Sequence, residues 1–320
     1  MDFTIMGDSN TTPRNALPRL PLEDWVDTQA SLHMWTQIIG KIRLSLAPMV
    51  NHWWHTTLYL TARGLTTSPM PYESQVIQID FDFIDHVLLI HSSSGATRSL
   101  PLADGPVADF FREIMKALTS LGVDVKIWTV PVEVEQRIPF EQDQTHTTYD
   151  PEHAHRFWHV LLQVDRVMKA FRGRFCGKAS PIQFFWGSFD LAASRFSGRN
   201  APIMEKAYHV AKFVMQEAYV DEVSSIGFWP GTGLGEPAFY AYIYPEPDGY
   251  AQYNIQPAQA YYHPDLKEFI LPYEAIRTSG DWDKVLLEFF QSTYEAGANL
   301  ANWDRANLEQ SFLISPDSYK

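Results

Sequence analysis

From Gln75 to Phe83 apolar and polar residues alternate, with Ile77, Ile79, Phe81 and Phe83 on one side and Gln78, Asp80 and Asp82 on the other. A period of two marks a strand that buries one face. Asp85-His86 then turns the chain into a partner over Val87 to His91, which predicts a hairpin. Further on the period changes. Val107, Phe110, Phe111, Ile114, Leu118 and Leu121 recur at helical spacing, with Asp104 as a cap, Pro106 in the first turn and Gly122 as the stop. Ahead of the hairpin, Glu23 to Ile39 is predicted as a helix. Trp53 to Leu65, rich in aromatic residues, Thr and Leu, is predicted as a strand that bends or ends at Gly64. Another strand is expected at Val125 to Val130.

The pattern then starts again. Glu152 to Arg172 carries a helical stripe of Phe157, Leu161, Val164, Met168 and Phe171. Ile182 to Phe196 is expected to be extended and broken near Gly187, Ile226 to Trp229 and Ala238 to Tyr244 to be strands, and a helix capped at Asp281 to run towards Trp303. The fold class expected is α+β, in two halves that each run helix, antiparallel strands, helix. Residues 1–21, with Pro13, Pro18 and Pro21 and no hydrophobic period, form a flexible tail. Residues 22–130 make the first half, the Pro-containing acidic stretch 131–150 a connection, and 151–320 the second half. Internal duplication fits this order. Setting Trp54 against Trp186 pairs Arg63 with Arg195 without a gap, and Ser99-Leu100-Pro101-Leu102 resembles Ile270-Leu271-Pro272-Tyr273. Against duplication stands the fact that any two α/β segments yield such matches by chance.

Composition narrows the classes of function. Across 320 residues, 45% hydrophobic side chains can form a large core. Twenty-five basic against 38 acidic residues leave a net charge of −13, a field that repels phosphate backbones and anionic lipid, so neither nucleic acid nor a membrane is an expected partner. No apolar run approaches the roughly 20 residues of a membrane helix, and no basic segment leads an N-terminal apolar stretch as in a secretion signal. Cys176 is the single cysteine, so no internal disulfide forms and the expected location is cytoplasmic.

One run is distinctive: Phe184-Phe185-Trp186-Gly187-Ser188-Phe189-Asp190-Leu191-Ala192, continued by Arg195-Phe196-Ser197-Gly198-Arg199 and Ala201-Pro202. It resembles the signature of a bacterial family known only as a domain of unknown function. Gly40-Lys41, Asn51-His52-Trp53-Trp54, Gly64-Leu65-Thr66-Thr67, Phe81 to His86, Gly227 to Gly231, Tyr244 to Pro247 and Trp303-Asp304-Arg305 fit it too. Together they cover nearly the whole chain after the tail. The resemblance implies no activity and no cofactor, and it carries over no site residues.

The chemistry is therefore weighed residue by residue. His155 and His159, four apart with His153 and Glu152 nearby, have the spacing of a zinc pair, but on a helix they point away from the apolar stripe and are expected to face solvent. Ser188 lacks the Gly-x-Ser-x-Gly elbow, and the glycines from Gly227 to Gly235 lack the Gly-Lys-Ser/Thr ending of a phosphate loop. Cys176 lies near Arg172, Arg174 and Lys178 but is more simply a packing residue. No metal and no cofactor are expected.

What remains is a pairing of aromatic and charged residues. On a regular strand Trp53, His55, Tyr59 and Arg63 share a face, and Asp190, Arg195 and Arg199 follow Trp186 in the distinctive run, with Trp229 and Glu246 to join them. Guanidinium groups suit bidentate binding of carboxylate or phosphate. These ten residues are the expected ligand site, a pocket between the halves for a small anionic or aromatic molecule, in a binding protein or an enzyme. Two arrangements compete with it. In one, the tryptophans fill a core while Asp190 and Arg195 form a buried ion pair; in the other, an exposed aromatic surface docks another protein in a non-catalytic interaction or structural module.

Overall fold

The computed structural model describes residues 17–204 and 211–309. Helix α1 (Val26–Leu46) leads into strands β1 (Tyr59–Leu60), β2 (Gly64–Thr66), β3 (Met70–Tyr72), β4 (Gln75–Asp82), β5 (Val87–Ser92) and β6 (Thr97–Pro101), followed by α2 (Val107–Ser120). The second half opens with α3 (Pro151–Arg172) and continues through β7 (Gln183–Phe185), β8 (Asp190–Asn200), α4 (Lys212–Ala218), β9 (Asp221–Trp229), β10 (Ala238–Tyr244), β11 (Tyr261–His263) and β12 (Glu268–Pro272). It closes with α5 (Tyr273–Arg277), α6 (Trp282–Leu300) and α7 (Arg305–Leu308). The fold is mixed α+β. Two antiparallel sheets of six strands run in the orders β1-β2-β4-β5-β6, with β3 also on β4, and β11-β12-β10-β9-β8-β7.

Alternation accounts for the first sheet. Ile77, Ile79 and Phe81 of β4 are buried, and in register Ile79 faces Ile90 and Phe81 faces Leu88 on β5. His86 takes the left-handed backbone (φ 51°) that the hairpin between them requires. Gly122, with φ 76°, closes α2 by donating its N–H to Thr119 O at 3.0 Å. The start of α2 differs from expectation. Asp104 accepts from the Tyr149 N–H (2.7 Å), and the amides of Val107 and Ala108 donate to the carbonyls of His146 and Asp143. The connection between the halves therefore does the work of a cap.

One predicted strand, Trp53 to Leu65, forms only in its second half, and another, Val125 to Val130, does not form. Asn51–Trp53 is a 3-10 turn in which His52 and Trp53 both have positive φ, and strand pairing begins only at Tyr59. The cause is distant in sequence: the His52 N–H bonds Glu217 Oε1 (3.2 Å) and the Trp53 indole N–H bonds Val214 O (3.0 Å), which ties this turn to α4. Residues 125–130 find no partner strand. Side chains of α1 take up this stretch instead. Ser45 donates to Lys126 O (3.1 Å) and Lys41 to Val130 O (2.8 Å), while Gln37 exchanges two bonds with the Val132 backbone (2.8 and 2.9 Å). His33, one turn further, bonds Gly187 O at 2.8 Å. His33, Gln37, Lys41 and Ser45 are spaced four apart, so they form one polar row on a helix otherwise buried in the core.

The sheets meet at a bridge where Leu58 and Phe184 exchange backbone hydrogen bonds of 2.9 and 2.8 Å. A single hydrophobic core runs across this seam, taking in Trp35, Ile38 and Phe81 from the first half and Phe157, Phe184, Phe239 and Phe290 from the second. Helix, strands and helix occur in that order on both sides of the seam. The gapless pairing, however, puts unlike positions together. Trp54 precedes β1 whereas Trp186 follows β7, and Arg63 sits between β1 and β2 whereas Arg195 lies within β8.

Candidate functional site

The second sheet has one face against the helices and one that is polar and aromatic. Register defines the second face row by row. Phe185, Asp190, Trp229 and Ala238 form one row; Gln183, Ala192, Gly227, Tyr240 and Ile270 form the next; Ser194, Ser225 and Tyr242 form a third, with Glu268 on the same face of β12. Small residues lie in the second and third rows on β8 and β9, so large ones can lie across them. A Cβ on Gly227 would overlap the Tyr240 ring. Glycine there lets the ring cross β9 and donate its hydroxyl proton to Asp190 Oδ2, while Ser188 donates to Oδ1.

Side chains from elsewhere wall the face into a trough. The strip held on α1 brings Glu133 to it in a left-handed conformation (φ 54°), its carboxylate pressed on Gly187, where a Cβ would collide with it. Tyr219, after α4, meets the Tyr242 hydroxyl at 2.9 Å, and Tyr240 and Tyr242 stack with centroids 6.2 Å apart. Phe185, Trp229, Leu234 and Tyr242 form a partly exposed apolar rim over Ala192, Ala238, Tyr240 and Ile270.

Three carboxyl groups share this trough. Asp190 is 6% exposed, and burial pushes it up to about 6 against the pull of its two hydroxyl donors. Burial, reinforced by the charge on Asp190, lifts Glu133 to about 7 and Glu268 to about 8. Glu133 nonetheless reaches solvent and Glu268 is half-buried, the condition of groups on the wall of a concavity. Tyr240 is raised by burial and by the adjacent Asp190, and Tyr242 by burial to about 12. Among the described residues, no Lys or Arg hydrogen bonds to any of the three carboxyls. No group of three or more His, Cys, Asp or Glu among them is placed to hold a metal ion.

Of the residues predicted from sequence, the trough contains Asp190 and Trp229, whose ring meets Tyr240 edge-on at 5.6 Å. Trp186 flanks it, packed on Gly40 with its indole N–H on Thr56 O (2.7 Å). The others are elsewhere. Arg195 faces the opposite side of β8, 1% exposed, with its guanidinium 3.4 Å from the Phe171 ring centroid and 4.4 Å from that of Tyr294. Burial lowers it to about 10. It therefore makes no ion pair with Asp190. Arg199 pairs with Glu222 (2.7 Å), Arg63 with Asp82 and Asp85, and Glu246 accepts from the Tyr262 hydroxyl (2.6 Å). Trp53 and His55 meet tilted, with centroids 5.6 Å apart, in the turn before β1, and the Tyr59 ring lies 5.5 Å from the Arg43 guanidinium.

Arg63 instead lines a separate cleft of about 430 Å³ on the first sheet, with Thr66, Gln78, Asp80, Asp82 and His91. Its polar groups satisfy one another: Gln78 donates to Asp80, and Arg63 to Asp82. The trough differs because its carboxyls are in excess of their donors. Glu133, Tyr240, Tyr242 and Glu268 were not singled out by the sequence, although Tyr240, Tyr242 and Tyr244 alternate along β10 with Phe239, Ala241 and Ile243.

A model of a family of unknown function (DUF5996) matches residues 17–310, and the chain belongs to that family. No curated protein matches the chain. No solved structure matches it either.

Proposed function

We propose that this member of the family is a small-molecule-binding protein whose ligand lies in the trough on the second sheet. The observation that supports this most is the pair of carboxylates, Glu133 and Glu268, that reach solvent inside a concavity and receive no hydrogen bond from a described residue. Unpaired by the described residues, both are open to a donor that a ligand brings. The aromatic rim supplies area for an apolar body, and the carboxyls and hydroxyls supply direction. Arg63, Arg195 and Arg199 take no part, because each is engaged elsewhere. The expectation of an anionic ligand gives way with them.

The proposal extends to the whole molecule. We propose a cytoplasmic location, which the single cysteine, Cys176, supports. The repeated order of helix, strands and helix is taken as internal duplication, in which the second half carries the site. No helix among the described residues is long and apolar enough to cross a membrane.

Native mass spectrometry of the purified chain tests the proposal. A small molecule retained by the wild type and lost from Trp229→Ala, with the unfolding transition preserved, is the expected result. A retained molecule that survives both Trp229→Ala and Glu133→Gln would refute the trough as its site. An empty wild type that captures other proteins through Trp128 and Phe213, 62% and 63% exposed, would favour an interaction module instead.

A further inference from the structure

We infer that the trough takes an organic cation: a protonated amine recognised by Asp190 and its neighbouring carboxyls, with an apolar body lying on Tyr240, Tyr242 and Trp229. The inference rests on the trough being the ligand site, and it names the class of ligand.

Acceptors outnumber donors throughout the trough. Asp190 has two oxygens with about four acceptor positions, and the Ser188 and Tyr240 hydroxyls occupy two. Glu133 and Glu268 receive no donor from the described residues. The Ser194 and Ser225 protons are committed, with Ser225 Oγ 3.1 Å from Ser194 Oγ and 3.5 Å from Ala193 O, whereas Tyr219 and Tyr242 share one bond and leave one proton between them. A second, independent acceptor lies in the same register row as Ala192, Gly227 and Tyr240. Gln183 is 0% exposed, its Nε2 is turned to the Trp54 carbonyl at 3.5 Å, and its Oε1 has no partner. Its neighbour on β8 is Ala192, whose methyl leaves that side of the row open. Beside the Trp229 indole N–H and one tyrosine proton, the uncommitted polar atoms in the row and on its walls are acceptors, and every charged group among them is a carboxyl. Such a site rejects carboxylates and phosphates, since each would lie against like charge. It also leaves a neutral alcohol with too few protons to give. An ammonium group carries three donors and the opposite charge.

Shape fixes the rest of the ligand. Tyrosine and tryptophan faces hold cations and apolar bodies alike. From β8 to β12 the trough crosses three strand spacings, roughly 14 Å, long enough for a small aromatic or aliphatic amine lying flat. Raised carboxyl pKa values follow from the same lack of a compensating positive charge, and a bound ammonium would supply one.

The test uses three probes with one body and different ends: 2-phenylethylamine, 2-phenylethanol and phenylacetate. Each is titrated against the full-length protein by ligand-observed NMR at about pH 9, above the raised carboxyls and below the titration of the amine. The amine is expected to bind at least about tenfold more tightly than the alcohol, with no binding by phenylacetate. Asp190→Asn and Glu268→Gln should each remove most of that preference, and Trp229→Ala should weaken the amine and the alcohol together. If all three probes bind alike and Trp229→Ala weakens them all, the cation assignment is overturned while the trough stands as the site. If no probe binds, or if binding is indifferent to Trp229→Ala and Asp190→Asn, the assignment and the trough fall together.

Discussion

Replacing Asp190 with Asn should reverse the usual relation between acidity and stability at this site. Asp190 is 6% exposed, and burial carries its carboxyl from the ordinary 3.8 up to about 6. At 1.36 kcal/mol per factor of ten in acidity, holding the charged form in the folded state costs ~3 kcal/mol. The sign follows from which state binds more protons. Between pH 4 and 6 the folded chain keeps a proton on Asp190 that the unfolded chain has released, so stability falls as the pH rises through this window and levels off above it. The Asn variant has no such titration. Its amide can accept from one of the Ser188 and Tyr240 hydroxyls and donate to the other, because both rotate. Loss of the Asp190 charge also relaxes Glu133 and Glu268, which that charge helps to raise, and this flattens the variant's profile further. Urea unfolding of both proteins at a series of pH values measures the difference directly. The wild type is expected to lose ~3 kcal/mol relative to Asp190→Asn between about pH 4 and 7. Parallel profiles would show that Asp190 is not a buried ionising group and would refute the trough chemistry built on it.

Other outcomes follow from single contacts. Gly227→Ala puts a methyl where the Tyr240 ring crosses β9 and should cost ~2–4 kcal/mol in urea unfolding; combining it with Tyr240→Ala should recover part of that loss, and no recovery would place the clash elsewhere. Arg195 has two buried N–H-bearing nitrogens, Nε and Nη1, without partners, so Arg195→Met should fall within ~1 kcal/mol of the wild type or above it, whereas Arg195→Ala leaves a void beneath Phe171 and Tyr294 and should cost ~3 kcal/mol or more. Equal losses in the two variants would contradict this. Gln37→Ala removes both bonds to Val132 and should speed amide hydrogen exchange at Val132 by about tenfold or more. Unchanged exchange there would mean that the strip is held by other contacts.

The parts of the fold legible in sequence are those whose pattern is local. β4 and β5 alternate, α2 and α3 carry single stripes, and β10 spans the predicted Ala238 to Tyr244. The stretch from Trp53 has strand composition, yet its conformation is decided by α4, some 160 residues away. The site was half visible for a similar reason. Asp190 and Trp229 stand out by type, but Glu133 arrives on an irregular segment whose position is set by α1 rather than by any periodicity of its own. Parity accounts for the misplaced arginine. Arg195 is an odd number of residues from Asp190 within one strand, so the two point to opposite faces. Composition could not separate them, whereas counting along the strand does.

The polar row on α1 has a metrical consequence for the strip it carries. Four residues of helix advance about 6 Å, and two residues of extended chain about 6.6 Å. The step from Lys41 to Gln37 therefore keeps pace with the step from Val130 to Val132. Because the hydrogen bonds from α1 reach carbonyls and an amide, they do not depend on residue type between Lys126 and Val132, where Trp128 under Lys41 and Ile127 against the core are held by their side chains. They depend instead on the number of residues there. An inserted or deleted residue would throw the strip out of step with the helix and carry Glu133 off the trough, so this irregular segment should tolerate substitution outside Ile127 and Trp128 while its length stays as constrained as that of a paired strand.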